Sequence, residues 1–326
     1  MFSNRPSKPM DRSSPHLCSR SWRIQAVLAC ASILACACIA SAAAAVTGTS
    51  VTVDPAIGND SPACCCNVSQ PCKTIAYAVN NISAAFVNLS AGTFNESTVS
   101  IRNVSSLVIK GVPAATFFDC NRRLATAGPA FSIVNSTVTI AGVTFQSCSN
   151  PTSNGGAVAA SGSSVAVSQC SFINCSAASG GAMSATGPGA GLFLSVQTSN
   201  FTRNSANGGL SGCPADAVQP CATWGGAIAA FEMLNVSISG CTMIENSAQA
   251  SVPTRSPQYN ASQNAVAGGG CVSVLFSGNA SGSSVNVSGS TFMQCEVAVA
   301  VGSVRKLVGN GTGCAYVVVR CSLCAC

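Results

Sequence analysis

Apolar residues recur at every second position in short segments along most of the chain. Three such segments, "VTIAGVTF" from Val138, "VAVSQCSF" from Val165 and "LSVQTSNF" from Leu194, each end in Phe. Alternation over four to eight residues, interrupted by Gly or Asn, predicts short β-strands that bury one face. No apolar pattern within these segments has a helical period. The chain is therefore predicted to be mostly β.

These segments belong to a repeated unit. In each unit the alternating strand ends in Phe or Met, a Cys or Asn follows three residues later, and a Gly pair then precedes small apolar residues. The Phe or Met positions are Phe145, Phe172, Phe201, Met243 and Phe292, followed by Cys148, Cys175, Asn204, Asn246 and Cys295. They are separated by 27, 29, 42 and 49 residues. A period in the twenties with inserts at one place indicates a solenoid of stacked units.

The residue types of the unit favour an all-β fold, a right-handed parallel β-helix. Coils of this fold stack at the strand spacing of about 4.8 Å, so equivalent side chains form columns along the axis. We expect the Phe and Met residues to stack inside and Asn204 to hydrogen-bond to Asn246. The Gly pairs are expected at sharp corners that need a positive φ. These glycines are Gly155, Gly156, Gly180, Gly181, Gly225, Gly226, Gly269 and Gly270.

Stacking also suggests disulfides, because equivalent Cα atoms of adjacent coils lie within the range that a disulfide tolerates. Cys148 and Cys175 are equivalent, and Cys271 and Cys314 each follow a glycine-containing corner. For both pairs, buried thiols are the alternative. Cys213 and Cys221 flank the insert "CPADAVQPC" and are expected to close it as a loop.

The N-terminus has the features of a secretory leader. Arg20 and Arg23 precede the apolar run "IQAVLACASILACACIASAAAAV", which ends in small residues. This pattern predicts a signal peptide cleaved between residues 42 and 45, or alternatively a helical signal anchor, since the run is long enough to span a bilayer. We divide the chain into a leader at 1–45, an N-terminal cap and first coils at 46–136, and repeat coils at 137–326. The last segment, "VVVRCSLCAC", lacks a closing cap. Such an end is expected of a fragment, of a misread gene model or of a strand edge that pairs with another molecule.

Two further features favour a secreted or cell-surface location. After residue 45 the chain has 17 of its 21 cysteines, which indicates disulfides formed in an oxidising compartment. It also contains many Asn-x-Ser/Thr acceptor triplets for N-glycans. The acceptors are Asn59, Asn67, Asn81, Asn88, Asn95, Asn103, Asn135, Asn174, Asn200, Asn235, Asn260, Asn279, Asn286 and Asn310.

Charge and composition exclude some functions. The net charge of +6 arises largely in the leader, and the remainder has ten bases and eight acids without a basic cluster. Nucleic acid is therefore not an expected partner. The only histidine, His16, lies in the leader, so the rest of the chain lacks the usual proton-transfer residue near neutral pH. We expect no metal site and no cofactor.

The repeat resembles that of bacterial polymorphic outer-membrane proteins, whose signature combines Gly-Gly-Ala-Ile/Val with Phe-x-x-Asn. Here "GGAV", "GGAI" and "FTRN" match it, whereas "FINC" and "FQSC" have Cys in place of Asn. The segment from Val51 to Phe94 is similar to the start of pectin-lyase-like β-helices, with "KTIAYAVNNI" as an amphipathic helix that covers the open end. The resemblance implies a β-helical adhesin.

Two functions remain open. The first is a non-catalytic surface or matrix protein that binds glycans or proteins, with the inserts 214–220 and 251–266 as recognition loops and Trp224 as a contact or core residue. The second is a polysaccharide lyase or hydrolase on the same scaffold. Its best acidic pair would be Glu232 and Glu245, and Arg122-Arg123 beside Asp119 is a weaker candidate. The remaining acids, Asp54, Asp60, Glu96, Asp216 and Glu296, are scattered.

Overall fold

The computed structural model describes residues 48–61, 70–122, 128–207, 223–249, 267–268, 270–276, 284–301, 316–321 and 324–325. Residues Gly48–Cys326 form one compact unit. The leader predicted at 1–45 lies outside the described residues. No described helix is both long and apolar enough to cross a membrane.

The chain winds through four sides in the order 1, 2, 3, 4, and each side is a column of strands. Side 1 contains β4 (Val99–Arg102), β7 (Phe131–Val134), β11 (Val158–Ser161), β23 (Val272–Phe276) and β26 (Cys295–Val301). Side 2 contains β1 (Ser50–Val53), β2 (Phe86–Leu89), β5 (Leu107–Lys110), β8 (Thr137–Ala141), β12 (Ser164–Ser168) and β24 (Ser284–Ser288). The long strands β15 (Met183–Gln197) and β19 (Ile228–Ser239) cover both sides in succession.

The other two sides are formed by shorter strands. Side 3 contains β3 (Gly92–Phe94), β6 (Thr116–Asp119), β9 (Thr144–Gln146), β13 (Ser171–Ile173), β16 (Asn200–Thr202), β20 (Thr242–Ile244) and β25 (Thr291–Met293). Side 4 contains β10 (Ser149–Asn150), β14 (Ser176–Ala177), β17 (Ser205–Ala206) and β21 (Ser247–Ala248). All pairings within these four columns are parallel. The predicted stack of parallel coils, a β-solenoid, is therefore confirmed.

Antiparallel pairing occurs only near the C-terminus of the described part. There β27 (Tyr316–Cys321) pairs with β26, and β28 (Cys324–Ala325) pairs with β25. The sequence pattern did not predict this reversal.

A column of large side chains fills the interior of side 3. In-register pairs join Phe94, Phe118, Phe145, Phe172, Phe201, Met243 and Phe292 in that order. The rings of Phe145, Phe172 and Phe201 are stacked, with centroids 5.0 and 4.7 Å apart. Phe94 and Phe118 extend the column by two coils that the repeat signature missed, because no Gly pair follows them.

Both glycines of the Gly-Gly corner are required by close contacts. Gly155, Gly180 and Gly225 have φ values of 72°, 61° and 58°. A Cβ on the second glycine, for example Gly181, would overlap the carbonyl oxygen of Gly226 in the next coil. Gly156 and Gly226 contact the next coil in the same way. The glycines therefore let consecutive coils approach at these corners. At the last of these corners the atom that a Cβ on Gly226 would overlap is the carbonyl oxygen of Gly270. Gly269 lies outside the described residues.

The other three corners also use positive φ, but the residue type varies from coil to coil and glycine occupies only some of the positions, such as Gly142, Gly162, Gly240 and Gly289. The non-glycine residues at these corners, with φ between 46° and 56°, are Asn103, Asn135, Glu232, Gln169, Thr198, Ser147, Asn174, Arg203, Glu245 and Gln294. At many corners the next residue is a buried Ser, Cys or Asn whose side chain bonds to neighbouring backbone. Ser199, for instance, donates to the Gln197 carbonyl and accepts from the backbone N–H of Cys170 in the previous coil. Ser290 repeats this pattern: its hydroxyl donates to the Ser288 carbonyl and accepts from the backbone N–H of Cys241.

One short helix precedes the first complete coil. Helix α1 (Ile75–Asn80) is capped at its N-terminus by Thr74, whose hydroxyl accepts from the Tyr77 N–H. Ile75, Ala78 and Val79 are buried, and Ile82 packs against the same core. The helix contacts β1, β2 and β4.

Candidate functional site

The acidic residues near the N-terminus hold local structure. Asp60 accepts hydrogen bonds from the backbone of Lys73 and Thr74 and from the Thr74 hydroxyl. Both oxygens of Glu96 accept from the first turn of α1, at Ile75 and Ala76. Free N–H groups at a helix start attract carboxylates in this way. These two carboxylates therefore fix the helix start.

Asp54 closes the turn after β1. Its Oδ1 accepts from the N–H groups of Ala56 and Ile57, at 2.9 and 3.1 Å. Burial raises the pKa of Asp54, but hydrogen bonds from Ser90, Ala56 and Ile57 outweigh burial and hold the pKa below its ordinary value. A carboxylate held in its ionised form does not suit the role of general acid.

The structure does not bring together Glu232 and Glu245, the acidic pair considered for catalysis. Glu232 lies at the corner between sides 1 and 2, and Glu245 at the corner between sides 3 and 4. Glu245 forms an exposed ion pair with Arg203, at 2.8 Å. Asp119 accepts from the backbone N–H of Asn121. The side chains of Arg122, Arg123, Asp216 and Glu296 lie outside the described part. In that part no three His, Cys, Asp or Glu residues are grouped closely enough to hold a metal.

The N-glycan acceptors that the structure describes all lie on its outside. The exposed acceptors are Asn59, Asn81, Asn88, Asn95, Asn103, Asn135, Asn174, Asn200, Asn235 and Asn286. In a strand, residues i and i+2 share a face, so an exposed acceptor and its hydroxyl residue emerge together. Three buried asparagines lack a usable triplet: Pro151 follows Asn150, and Ala lies two positions after Asn204 and Asn246. Asn67, Asn260, Asn279 and Asn310 lie outside the described residues.

The outer face of side 2 is uncharged in the described strands that follow β5. From β8 to β24 its outward positions carry hydroxyl, amide, alanine or Phe side chains. They are Thr137, Thr139, Ala141, Ser164, Ala166, Ser168, Phe193, Ser195, Gln197, Asn235, Ser237, Ser239, Ser284, Asn286 and Ser288. Neighbouring strands are in register, so these side chains form rows along the axis.

The two long inserts start and return at one edge. The described chain ends at residues 207 and 249 after side 4, and it resumes in β18 (Thr223–Trp224) and β22 (Ala267–Gly268). β18 and β22 pair in parallel, so the described chain resumes at neighbouring positions in adjacent coils. The expected recognition loops at 214–220 and 251–266 themselves lie outside the described residues, as do Cys213 and Cys221.

Trp224 belongs to a second apolar cluster, outside the main core. It is 6% exposed and packs with Ala229, Leu275 and the partly buried Phe231. Ala229 and Leu275 lie on the outward side of side 1, because the alternate residues Ile228 and Val274 face the main core. Trp224 therefore covers an outer face at the base of the inserts rather than filling the coil interior.

The disulfide observed among the described residues differs from the expected one. Cys148 is bonded to Cys120, with Cα atoms 4.7 Å apart. The expected Cys148–Cys175 bridge is not present, and Cys175 is a buried thiol. The repeat pattern did not indicate Cys120 as a partner, because Cys120 lies in the 3-10 turn Cys120–Arg122, where the repeat has no cysteine. Cys271 is disulfide-bonded, and its expected partner Cys314 lies outside the described residues.

Two other buried thiols, Cys170 and Cys241, occupy corner positions equivalent to Ser199 and Ser290. Each sulfur donates to the carbonyl two residues earlier, at 3.3 and 3.4 Å. Burial raises the pKa of Cys170 to about 11 and also raises that of Cys241. The equivalent residues of the adjacent coils, Val143, Ser199 and Ser290, carry no sulfur, so these thiols act as structural equivalents of serine.

Comparison with known proteins gives no assignment. No family model, curated relative or solved structure matches the chain.

Proposed function

We propose that this chain is an extracellular, N-glycosylated, non-catalytic β-helical protein of the cell surface or matrix that binds glycans or other proteins. In this proposal the coil is right-handed, α1 covers its open N-terminal end, and the repeats belong with those of polymorphic outer-membrane proteins. The leader at 1–45 directs secretion or, if uncleaved, provides the only membrane attachment.

The exposure of every described acceptor asparagine carries this proposal. A glycan needs solvent space around its asparagine in the folded protein. The acceptors meet this requirement on sides 2 and 3, at corners and beside α1. The solenoid also supports a binding role, because its stacked coils provide long regular faces. The described carboxylates Asp54, Asp60 and Glu96 are engaged in local hydrogen bonds, which favours a binding protein over an enzyme.

Expression in a eukaryotic secretory host tests the first half of the proposal. Glycopeptide mass spectrometry before and after peptide-N-glycosidase treatment is expected to find glycans on exposed acceptors. Asn235→Gln and Ser237→Ala remove the same acceptor triplet by different side chains, and each should abolish the glycan at residue 235. Asn150, in a triplet with Pro, serves as the internal control that stays unmodified. A secreted chain without any glycan would contradict the proposal.

Binding and turnover assays test the second half. The secreted protein is expected to bind cells or a glycan and protein array and to leave pectin, alginate and related polysaccharides intact, with or without Ca²⁺. Removal of the insert at 208–222, replaced by a short Gly-Ser link, should weaken binding while the strand signal in circular dichroism persists. Release of unsaturated or reducing ends would instead establish the lyase or hydrolase alternative.

A further inference from the structure

Three cysteines follow one another on neighbouring turns of the coil. Cys120 lies just after β6, Cys148 after β9 and Cys175 after β13. The first two form the disulfide, and Cys175 is a thiol. Cys148 and Cys175 are fully buried, whereas Cys120 is partly exposed. Cys148 therefore lies between its disulfide partner Cys120 in one neighbouring coil and the thiol of Cys175 in the other.

The strand register places Cys175 opposite Cys148. Gln146 pairs with Ile173 before the two cysteines, and Ser149 pairs with Ser176 after them. The Ser176 N–H also donates to the Cys148 carbonyl, at 2.8 Å. In-register positions on parallel strands lie about 4.8 Å apart, which is within the Cα separation of disulfides.

We propose that Cys148 exchanges disulfide partners and that Cys120 thereby becomes a latent surface thiol. The Cys175 thiolate attacks the Cys148 sulfur, the bond to Cys120 breaks, and Cys120 leaves as a thiolate that takes up a proton. One disulfide is broken and one is formed, so the exchange needs no oxidant. The released Cys120 then takes partners of one chemical class, disulfides: it attacks one sulfur of the partner and expels the other as a thiolate.

The two isomers close loops of almost equal length. The Cys120–Cys148 bridge spans 28 residues, and a Cys148–Cys175 bridge spans 175 − 148 = 27. Loop-closure entropy grows only slowly with length, so it favours neither isomer. The balance is set by native contacts and by the partner disulfide. Exchange leaves the partly exposed sulfur reduced and the two buried sulfurs bonded.

Thiol labelling of the intact secreted protein tests the exchange. The protein is incubated at pH 7 to 9 with N-ethylmaleimide, or with glutathione disulfide as the partner probe, and then digested without reduction for mass spectrometry. We expect label or glutathione on Cys120 in chains that also yield a Cys148–Cys175 linked peptide. Since the thiolate is the attacking species, this fraction should rise with pH.

Variants separate exchange from other sources of a thiol. In Cys175→Ser the attacking sulfur is missing, so labelling of Cys120 should be lost. In Cys120→Ser, refolded in a glutathione redox buffer, the Cys148–Cys175 linked peptide should form. Cys170→Ser is the matched control, because the equivalent residues in adjacent coils, Val143 and Ser199, carry no sulfur, and it should leave labelling unchanged. Undiminished Cys120 labelling in Cys175→Ser, or a folded Cys120→Ser protein with both remaining thiols unlinked, would overturn the proposal.

Discussion

Asn204 and Asn246 are 42 residues apart in the sequence and bonded side by side in the structure. Asn246 Oδ1 accepts from both the backbone N–H and the side-chain Nδ2 of Asn204, each at 2.9 Å. Asn204 repeats this role one coil earlier, where its Oδ1 accepts from the Cys175 N–H, at 2.9 Å, and its Nδ2 donates to the Phe172 carbonyl, at 3.0 Å. One amide therefore satisfies two backbone groups of the preceding coil and also bonds to the side chain of the next asparagine in the column.

We expect Asn204→Ala to destabilise the fold strongly. The change leaves the buried Cys175 N–H and Phe172 carbonyl without these bonds, and each buried polar group that loses its partner costs about 1–3 kcal/mol. Urea unfolding followed by circular dichroism measures the difference. The control is Asn207→Ala, since Asn207 is exposed and its side chain bonds only an exposed serine hydroxyl. Equal stability of the two variants would contradict a structural role for the asparagine column.

The phenylalanine column gives a second stability prediction. Phe172 is fully buried between two stacked rings, so Phe172→Ala should open a cavity that neighbouring coils cannot fill. Such substitutions cost about 3–5 kcal/mol. Ile173→Ala, at the adjacent outward and partly exposed position, should cost about 1 kcal/mol. The midpoints of urea unfolding distinguish these outcomes, and a smaller loss for Phe172→Ala than for Ile173→Ala would contradict the assignment of inside and outside.

The glycine pairs allow a sharper comparison. Gly181→Ala should prevent close stacking of two coils, because its Cβ overlaps the Gly226 carbonyl. Gly191→Ala should cost only about 1 kcal/mol: Gly191 has a φ of 88°, but no atom lies within 4 Å of the added Cβ. Secreted yield and thermal unfolding measure both variants. If Gly181→Ala behaved like Gly191→Ala, the close approach of the coils would be refuted.

Much of the architecture could be predicted because the solenoid repeats its side-chain requirements. The spacing of Phe145, Phe172 and Phe201 encodes a register that the structure shows directly. The other corners were missed for a physical reason. Their positive-φ residues include Gln169, Thr198 and other types without glycine's freedom, and backbone hydrogen bonds between coils, rather than residue type, fix that conformation. Because the residue type at these corners varies from coil to coil, no recurring residue marks them in the sequence.

The functional residues were harder to predict because their roles depend on neighbours outside the repeat. Cys148 matched Cys175 by position, yet its bond goes to Cys120, which lies in a turn before the regular units. The sequence context of Trp224 favoured a place in the core over a contact role. Its place in a separate outer cluster depends on where the preceding insert returns, and the alternation pattern contains no information on that path.

Corner strain predicts a stabilising substitution. Thr198 is β-branched and has a φ of 46°, whereas Gly142, Gly240 and Gly289 occupy the same corner in other coils. A β-branched residue in this region stores about 1–3 kcal/mol of strain. Thr198→Gly should therefore stabilise the protein by about 1 kcal/mol after the greater flexibility of unfolded glycine is subtracted. The paired control Thr202→Gly, in β16, should destabilise it. A lower unfolding midpoint for Thr198→Gly would show that the corner is not strained.

The buried thiol of Cys170 predicts a loss of stability in alkali. Its pKa is raised from 9.0 to about 11 in the folded protein, so between these values the unfolded chain has lost the proton that the folded chain retains. The contribution of the protonated Cys170 thiol to the free energy of unfolding is thus fully present below pH 9. It falls as the pH rises to about 11, by about 3 kcal/mol for two pKa units. Cys170→Ser should keep the hydrogen-bond pattern of Ser199 and remove this part of the loss. Urea unfolding of both proteins from pH 8 to 11 measures it, and parallel stability curves would show that Cys170 does not titrate as its burial requires.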